Sequence, residues 1–191
     1  MDVFEGRISS SGFESGDRFV IGDWHSSPLG PFANVLWAKP DGTRILISGT
    51  KKNADYVSSL YNFEEVIITE IFVERLPKGI QIKAGPLEIE MHWNYGLIIP
   101  FSRPRWFIST VELFFAKILF GTKTYGITSN NLKEWYCINR IAKIHTASAK
   151  CNGIDLNNMT NFETNACFGF SEPPKKPTSV MVRSIIESNI S

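Results

Sequence analysis

Four small groups of residues in this 191-residue chain have the types and spacing to do chemistry. Arg103-Pro104-Arg105-Trp106 sets two arginines around a proline. Such a pair can present a fork of N–H donors to a carboxylate or phosphate, with the indole as a stacking wall. The commoner use of such a stretch is a surface loop whose arginines pair with nearby acids. Glu134-Trp135-Tyr136 puts a carboxyl group at the edge of an aromatic strand, where a buried glutamate can act as a general base. More often such a glutamate is a rim residue beside core aromatics. Trp24-His25 closes a β-rich run, and its imidazole could titrate near neutrality; a loop histidine with a local hydrogen bond is the ordinary alternative. Lys51-Lys52 is an adjacent pair, and neighbouring ammonium groups can make an amine nucleophilic enough for a Schiff base. Its place in the first turn of an expected helix argues for two solvated lysines instead. Trp24, His25, Arg103, Arg105, Trp106 and Glu134 are therefore the candidate ligand-binding residues, and no residue is assigned a catalytic role.

Known catalytic signatures are missing: the chain has no GxSxG, P-loop, HExxH or GxGxxG, which excludes only the families that depend on them. Three cysteines (137, 151, 167) and three histidines (25, 92, 145) are scattered, without the close ligand pairs of a zinc site. No metal or other cofactor is expected. The cysteines read as reduced, small core residues, which suits a cytoplasmic compartment. Twenty basic against nineteen acidic residues leave a charge of +1, and no basic stripe exists to track nucleic-acid phosphates. The start, Met1-Asp2-Val3-Phe4-Glu5-Gly6, has no signal-peptide character. The most apolar stretch, Trp106 to Phe120, contains Glu112 and Lys117 and is too short to span a membrane.

The elements that would position these residues are mostly strands. Asp17–Trp24, Phe32–Lys39 and Thr43–Ser48 are rich in β formers, and the Pro40-Asp41-Gly42 turn makes the last two a hairpin. Thr50 is placed to cap a helix over 51–61, with Ala54, Val57 and Leu60 on one side. Glu65–Val73 reads as one long strand. Ile80–Lys83 and Leu87–Met91 alternate with period two, the pattern of a sheet with one dry face. A second helix is expected over 107–120, its Phe107, Val111, Phe114, Phe115, Ile118 and Leu119 face packing across the sheet. Glu134–Ile138 and Arg140–Lys150 return to strand, Asn152-Gly153 signals a hairpin turn, and Thr178–Ile186 makes a last strand.

The stretch from Gly22 to Ser48, with Ala84–Trp93, Arg103–Phe107 and Lys133–Ile141, resembles an uncharacterised protein family of actinobacteria across most of the chain. That resemblance implies no activity. Ser27-Pro28-Leu29-Gly30-Pro31-Phe32 is also similar to a loop of acetoacetate-decarboxylase-like proteins, whose β-rich fold encloses an apolar cavity. The surroundings of Lys51-Lys52 do not match the lysine motif of the true decarboxylases, so no catalysis is carried over.

About ten strands and two helices in one domain spanning 1–191, without βαβα alternation, predict a mainly β (α+β) protein. An antiparallel barrel or sandwich with helices packed on it is the expected architecture. Thirteen per cent aromatic content fits either a thick core or a pocket with aromatic walls. Two functions follow: binding, or turnover, of a small apolar or carboxylated molecule in a β-domain cavity, or a protein-interaction or structural module without a cavity. Neither a nucleic-acid partner nor a membrane span is expected.

Overall fold

Period-two alternation over long runs makes sheets, and sheet dominates the computed structural model, which describes residues 1–98, 125–128, 132–162, 167–169 and 175–187. The N-terminal half supplies β1 (Asp2–Phe13), β2 (Arg18–Ser26), β3 (Phe32–Ala38), β4 (Arg44–Ser48), α1 (Lys51–Leu60), β5 (Glu65–Ile68), β6 (Ile71–Leu76), β7 (Gly79–Ala84), β8 (Leu87–Trp93) and β9 (Leu97–Ile98). Beyond it come β10 (Tyr125–Ile127), β11 (Lys133–Cys151), β12 (Ile154–Asp155), β13 (Met159–Thr160) and β14 (Thr178–Glu187). Ten of these strands form one path, β5-β4-β3-β2-β1-β14-β11-β8-β7-β6. Every pair along it is antiparallel except β4–β5, where α1 provides the crossover that parallel neighbours need.

Two features curl this path. β11 is 19 residues long and changes partner along its length: Lys133–Lys143 pairs with β14, and Ile144–Cys151 pairs with β8. Register shifts at Ile138/Arg140 and Ile144/Thr146 bend it there, as bulges do at sheet corners. At the far side, the outermost strands β5 and β6 are joined by Thr69-Glu70 alone. Two residues reach about 10 Å at most, so the two edges of the path must lie next to each other. The run Glu65–Val73 is thus not the single strand its composition suggests. Thr69 donates its N–H to the Ser48 carbonyl at 3.0 Å, and the chain then crosses from one edge to the other without interrupting its β-branched pattern.

The inner face of the curl holds the main core. Phe13, Phe19, Ile21, Val35, Trp37, Ile45 and Ile47 from one half meet Ile80, Ile82, Leu87, Ile89, Met91, Trp93 and Ile144 from the other. A bidentate ion pair ties the halves across the seam: Arg75 of β6 donates Nε–H to Asp23 Oδ2 at 2.8 Å and Nη2–H to Oδ1 at 2.6 Å. A double-mutant cycle with Arg75→Ala and Asp23→Ala should return a coupling of about 1 kcal/mol in urea unfolding, because the geometry is ideal but Arg75 is largely exposed. A coupling of zero would show that the pair does not hold the seam.

α1 packs on the outer face. The Thr50 side chain accepts from Asn53 N–H at 3.2 Å, an N-cap as expected from the sequence. Ala54 and Val57 cover Leu46, and Leu60 reaches Phe4 and Ile186. α1 is the one helix among the described residues, so the expectation of two helices is corrected to that extent. The helix expected over 107–120 lies outside the described residues, as do Arg103, Arg105 and Trp106. Among the described residues, no helix is long and apolar enough to cross a membrane.

Candidate functional site

Among the described residues, buried polar side chains include Asp17, which accepts from Trp37 Nε1 at 2.7 Å, and Arg18, which lies over the Phe162 ring, and two further clusters, one on each face of the sheet. On the outer face, under α1, lies Glu134. β11 and β14 pair Glu134 with Ile186 and Tyr136 with Ser184, which sets Glu134, Tyr136 and Ser184 on one side of the sheet. The end of α1 lowers Tyr61 onto them. Its hydroxyl lies 3.1 Å from both carboxylate oxygens of Glu134 and 2.5 Å from the Tyr136 hydroxyl, and Ser184 Oγ–H donates to Glu134 Oε1 at 2.7 Å. Glu134 is only 2% exposed, so it is no rim residue. Burial raises its carboxyl above the usual range, and the hydrogen bonds from Ser184, Tyr136 and Tyr61 counter part of that rise. Burial first, and the Glu134 carboxyl second, push the Tyr61 and Tyr136 hydroxyls well above the usual tyrosine value. One turn earlier on α1, Tyr56 donates to Asp2 Oδ2 at 2.7 Å.

The arrangement is a carboxyl group held toward its neutral form in a hydroxyl cage. A group so placed can donate a hydrogen bond or a proton; it is poorly prepared to be the anionic base that a buried glutamate suggests. Trp24 borders the same region. It is partly buried with its ring 5.6 Å from that of Phe4, in the apolar cluster that also includes Tyr56 and Tyr61. His25, next along β2, is exposed.

The second gathering is on the inner face, beside the apolar core. Antiparallel register aligns Arg7 with Asp23 and Met181, and Ser9 with Ile21 and Ser179. Past its register shift, β11 sets Arg140 opposite Met181. Arg7 donates from Nη1 to Ser179 Oγ at 2.9 Å, and its guanidinium lies 4.6 Å over the Trp93 ring. Ser179 and Ser9 share a hydrogen bond of 2.8 Å. Burial lowers the Arg7 pKa, the Arg140 charge lowers it further, and Asp23 partly offsets both. Arg75 shows the opposite direction, because its hydrogen bonds to Asp23 favour the charged form.

The structure therefore brings Glu134 and Trp24 to one region and leaves His25 on the surface. Lys51 and Lys52 are both exposed, and Lys51 Nζ sits 2.8 Å from Asp55 Oδ1, an ordinary pair one helical turn apart. The Ser27–Phe32 loop is a tight turn between β2 and β3, closed by Gly30 N–H to Ser27 O at 3.1 Å with Gly30 at φ 88°. The cysteines are free thiols as expected; Cys151 is half-buried against the main core and Cys137 against Trp135 and Ile185, while Cys167 is exposed and is not the core residue expected. Sequence reasoning missed Arg7, Asp23, Arg75 and Arg140 altogether. The one available signal was a charged residue inside an otherwise strand-like alternation, which is equally the mark of a solvent-facing position.

No protein-family profile matches the chain, and no curated protein matches it.

Proposed function

We propose that this domain binds a small molecule within its curled sheet, which we read as a flattened barrel, with the molecule's polar end at the charged patch of the inner face. One observation carries this reading. Arg7 and Asp23 sit at the margin of the main apolar core, on the face that carries Phe19, Ile21, Val35 and Trp37 along β2 and β3 and the buried Ser9 and Ser179 along β1 and β14. Desolvating charge in such a place opposes folding unless it is well paired, and it rarely improves stability over apolar residues. A binding role accounts for the presence of these groups. The adjoining aromatic and aliphatic side chains give an apolar wall, the usual lining of small-molecule sites.

Native mass spectrometry of gently purified protein should show a mass surplus that disappears on denaturation. A clean apoprotein mass that also takes up no small apolar or carboxylated compound from a screening mixture would defeat the proposal. The second reading, a protein-interaction module, has its own observation. Val66, Ile68 and Phe72 are 44%, 51% and 59% exposed at the two strands where the edges of the sheet meet, a place where a partner could dock. Under that reading Phe72→Asp would abolish partner capture and leave the native mass unchanged.

A further inference from the structure

The inner-face patch has a definite charge balance. Among the described residues it carries the guanidinium groups of Arg7, Arg75 and Arg140 and the Asp23 carboxylate, and the Arg183–Glu5 ion pair (3.4 Å) lies next to them on the same face and is self-neutralised. Both oxygens of Asp23 are engaged by Arg75. Arg7 and Arg140 remain as two like charges close enough to repel, which is unfavourable without an anion between them. Among the described residues, Arg7 makes a single side-chain hydrogen bond, to Ser179, and neither it nor Arg140 has a carboxylate partner. Arg7 is also held in place: Ser179 Oγ accepts from its Nη1 at 2.9 Å and its Cζ lies over the Trp93 ring, 4.6 Å from the centroid. A guanidinium fixed in this way presents parallel N–H donors suited to a planar, two-oxygen acceptor. Met181 and Cys137, half-buried on the same face, adjoin it with apolar surface.

We infer that Arg7 and Arg140 together hold the carboxylate of an apolar carboxylic acid, whose body lies along the inner face. This rests on the binding role proposed above and adds the chemical class of the ligand. Arg75 stays with Asp23 and keeps the seam closed, so the ligand has two cations to itself.

Isothermal titration with decanoate and with decan-1-ol, a chain of equal length without charge, tests both layers separately. Decanoate should bind at least about tenfold more tightly than the alcohol, the size expected for charge-assisted hydrogen bonds at a partly desolvated site. Arg140→Gln, on the half-buried rim, and Arg7→Met, which keeps an aliphatic stem over Trp93, should each erase about that factor for decanoate and leave the alcohol unchanged. Residual alcohol binding shows that a variant is folded; should Arg7→Met fail to fold, Arg140→Gln alone decides. Equal affinity for acid and alcohol, or decanoate binding that ignores both substitutions, would overturn the carboxylate assignment and leave the binding role intact. If neither compound binds the parent protein, the carboxylate assignment and the binding role fall together.

Discussion

In urea unfolding, Glu134→Leu should cost about 3 kcal/mol, while Glu134→Gln should cost about 1 kcal/mol. Both substitutes fill similar space. Only glutamine still accepts hydrogen bonds, whereas leucine leaves the Ser184 and Tyr61 hydroxyls without the acceptor they now use. The two variants also separate in their pH dependence. The folded-state pKa of Glu134 lies above the unfolded value, so the neutral acid favours folding. That contribution is complete below the unfolded pKa of about 4.3 and is lost as pH rises through the raised folded value. Each unit of displacement corresponds to about 1.4 kcal/mol. Wild-type stability should therefore decline, relative to Glu134→Gln, which has no proton to lose, as pH rises above the unfolded pKa and through the raised folded value. Among the described residues, the groups facing Glu134 are the hydroxyls of Tyr61, Tyr136 and Ser184, with Tyr56 and its partner Asp2 farther along; no cation among them would offset the new charge. Parallel pH profiles for the two proteins would show that Glu134 is already ionised, and the cage would then be an anion site instead.

The hairpins and α1 were legible because their signals are local. Pro40-Asp41-Gly42 turns β3 into β4, and Gly42 has φ 89°. Asn152 and Gly153 adopt φ of 51° and 78°, the positive pair that a two-residue hairpin turn needs. The capped helix begins where Thr50 places it. β1 escaped notice because its middle is Ser9-Ser10-Ser11-Gly12, residues with little intrinsic strand preference. Those serines are buried at the centre of the sheet, between β2 and β14, where pairing on both sides decides their conformation. The division of Glu65–Val73 was illegible for a different reason. Composition reports that a segment is extended, and only tertiary pairing says which edge it joins.

The candidate site was legible in part, and the same distinction explains how far. Glu134 could be singled out because a carboxylate beside Trp135 and Tyr136 is unusual on its own strand. Its hydroxyl cage could not, since Tyr61, just past the end of α1, and Ser184, on β14, lie 73 and 50 residues away. The inner-face arginines depend on register even more strongly. Arg140 faces inward only because β11 shifts register between Ile138 and Arg140; before the shift, the even-numbered Glu134 and Tyr136 face outward. A one-residue irregularity moves the side chains that follow to the opposite face until the second shift at Ile144/Thr146, and no residue in that stretch announces it.

Gly6→Ala should destabilise the fold by about 3 kcal/mol or more and should also disturb the inner-face patch. Gly6 sits where β1 and β2 shift register, opposite Trp24. A Cβ built there would stand 2.3 Å from the Asp23 carbonyl oxygen and 2.8 Å from the Trp24 Cα. Both obstacles are backbone, so no side-chain rotation relieves them, and β1 must move away from β2 by a distance that breaks ladder hydrogen bonds. The strands on either side of this point carry Arg7 and Asp23, so the displacement reaches the residues that hold the seam and face the proposed ligand. Gly12→Ala is the contrasting control within the same strand. Its Cβ would meet the backbone of residues 160–162, the Phe162 Cα and Thr160 O at 3.3 Å and Asn161 O at 3.4 Å, tight contacts but about 1 Å longer than the closest one at Gly6. Urea melts of the two variants should therefore differ by about 2 kcal/mol or more, with Gly6→Ala the weaker protein. Equal stabilities would mean that the β1–β2 contact can open at Gly6 without cost, and the positions assigned to Arg7 and Asp23 would lose their structural basis.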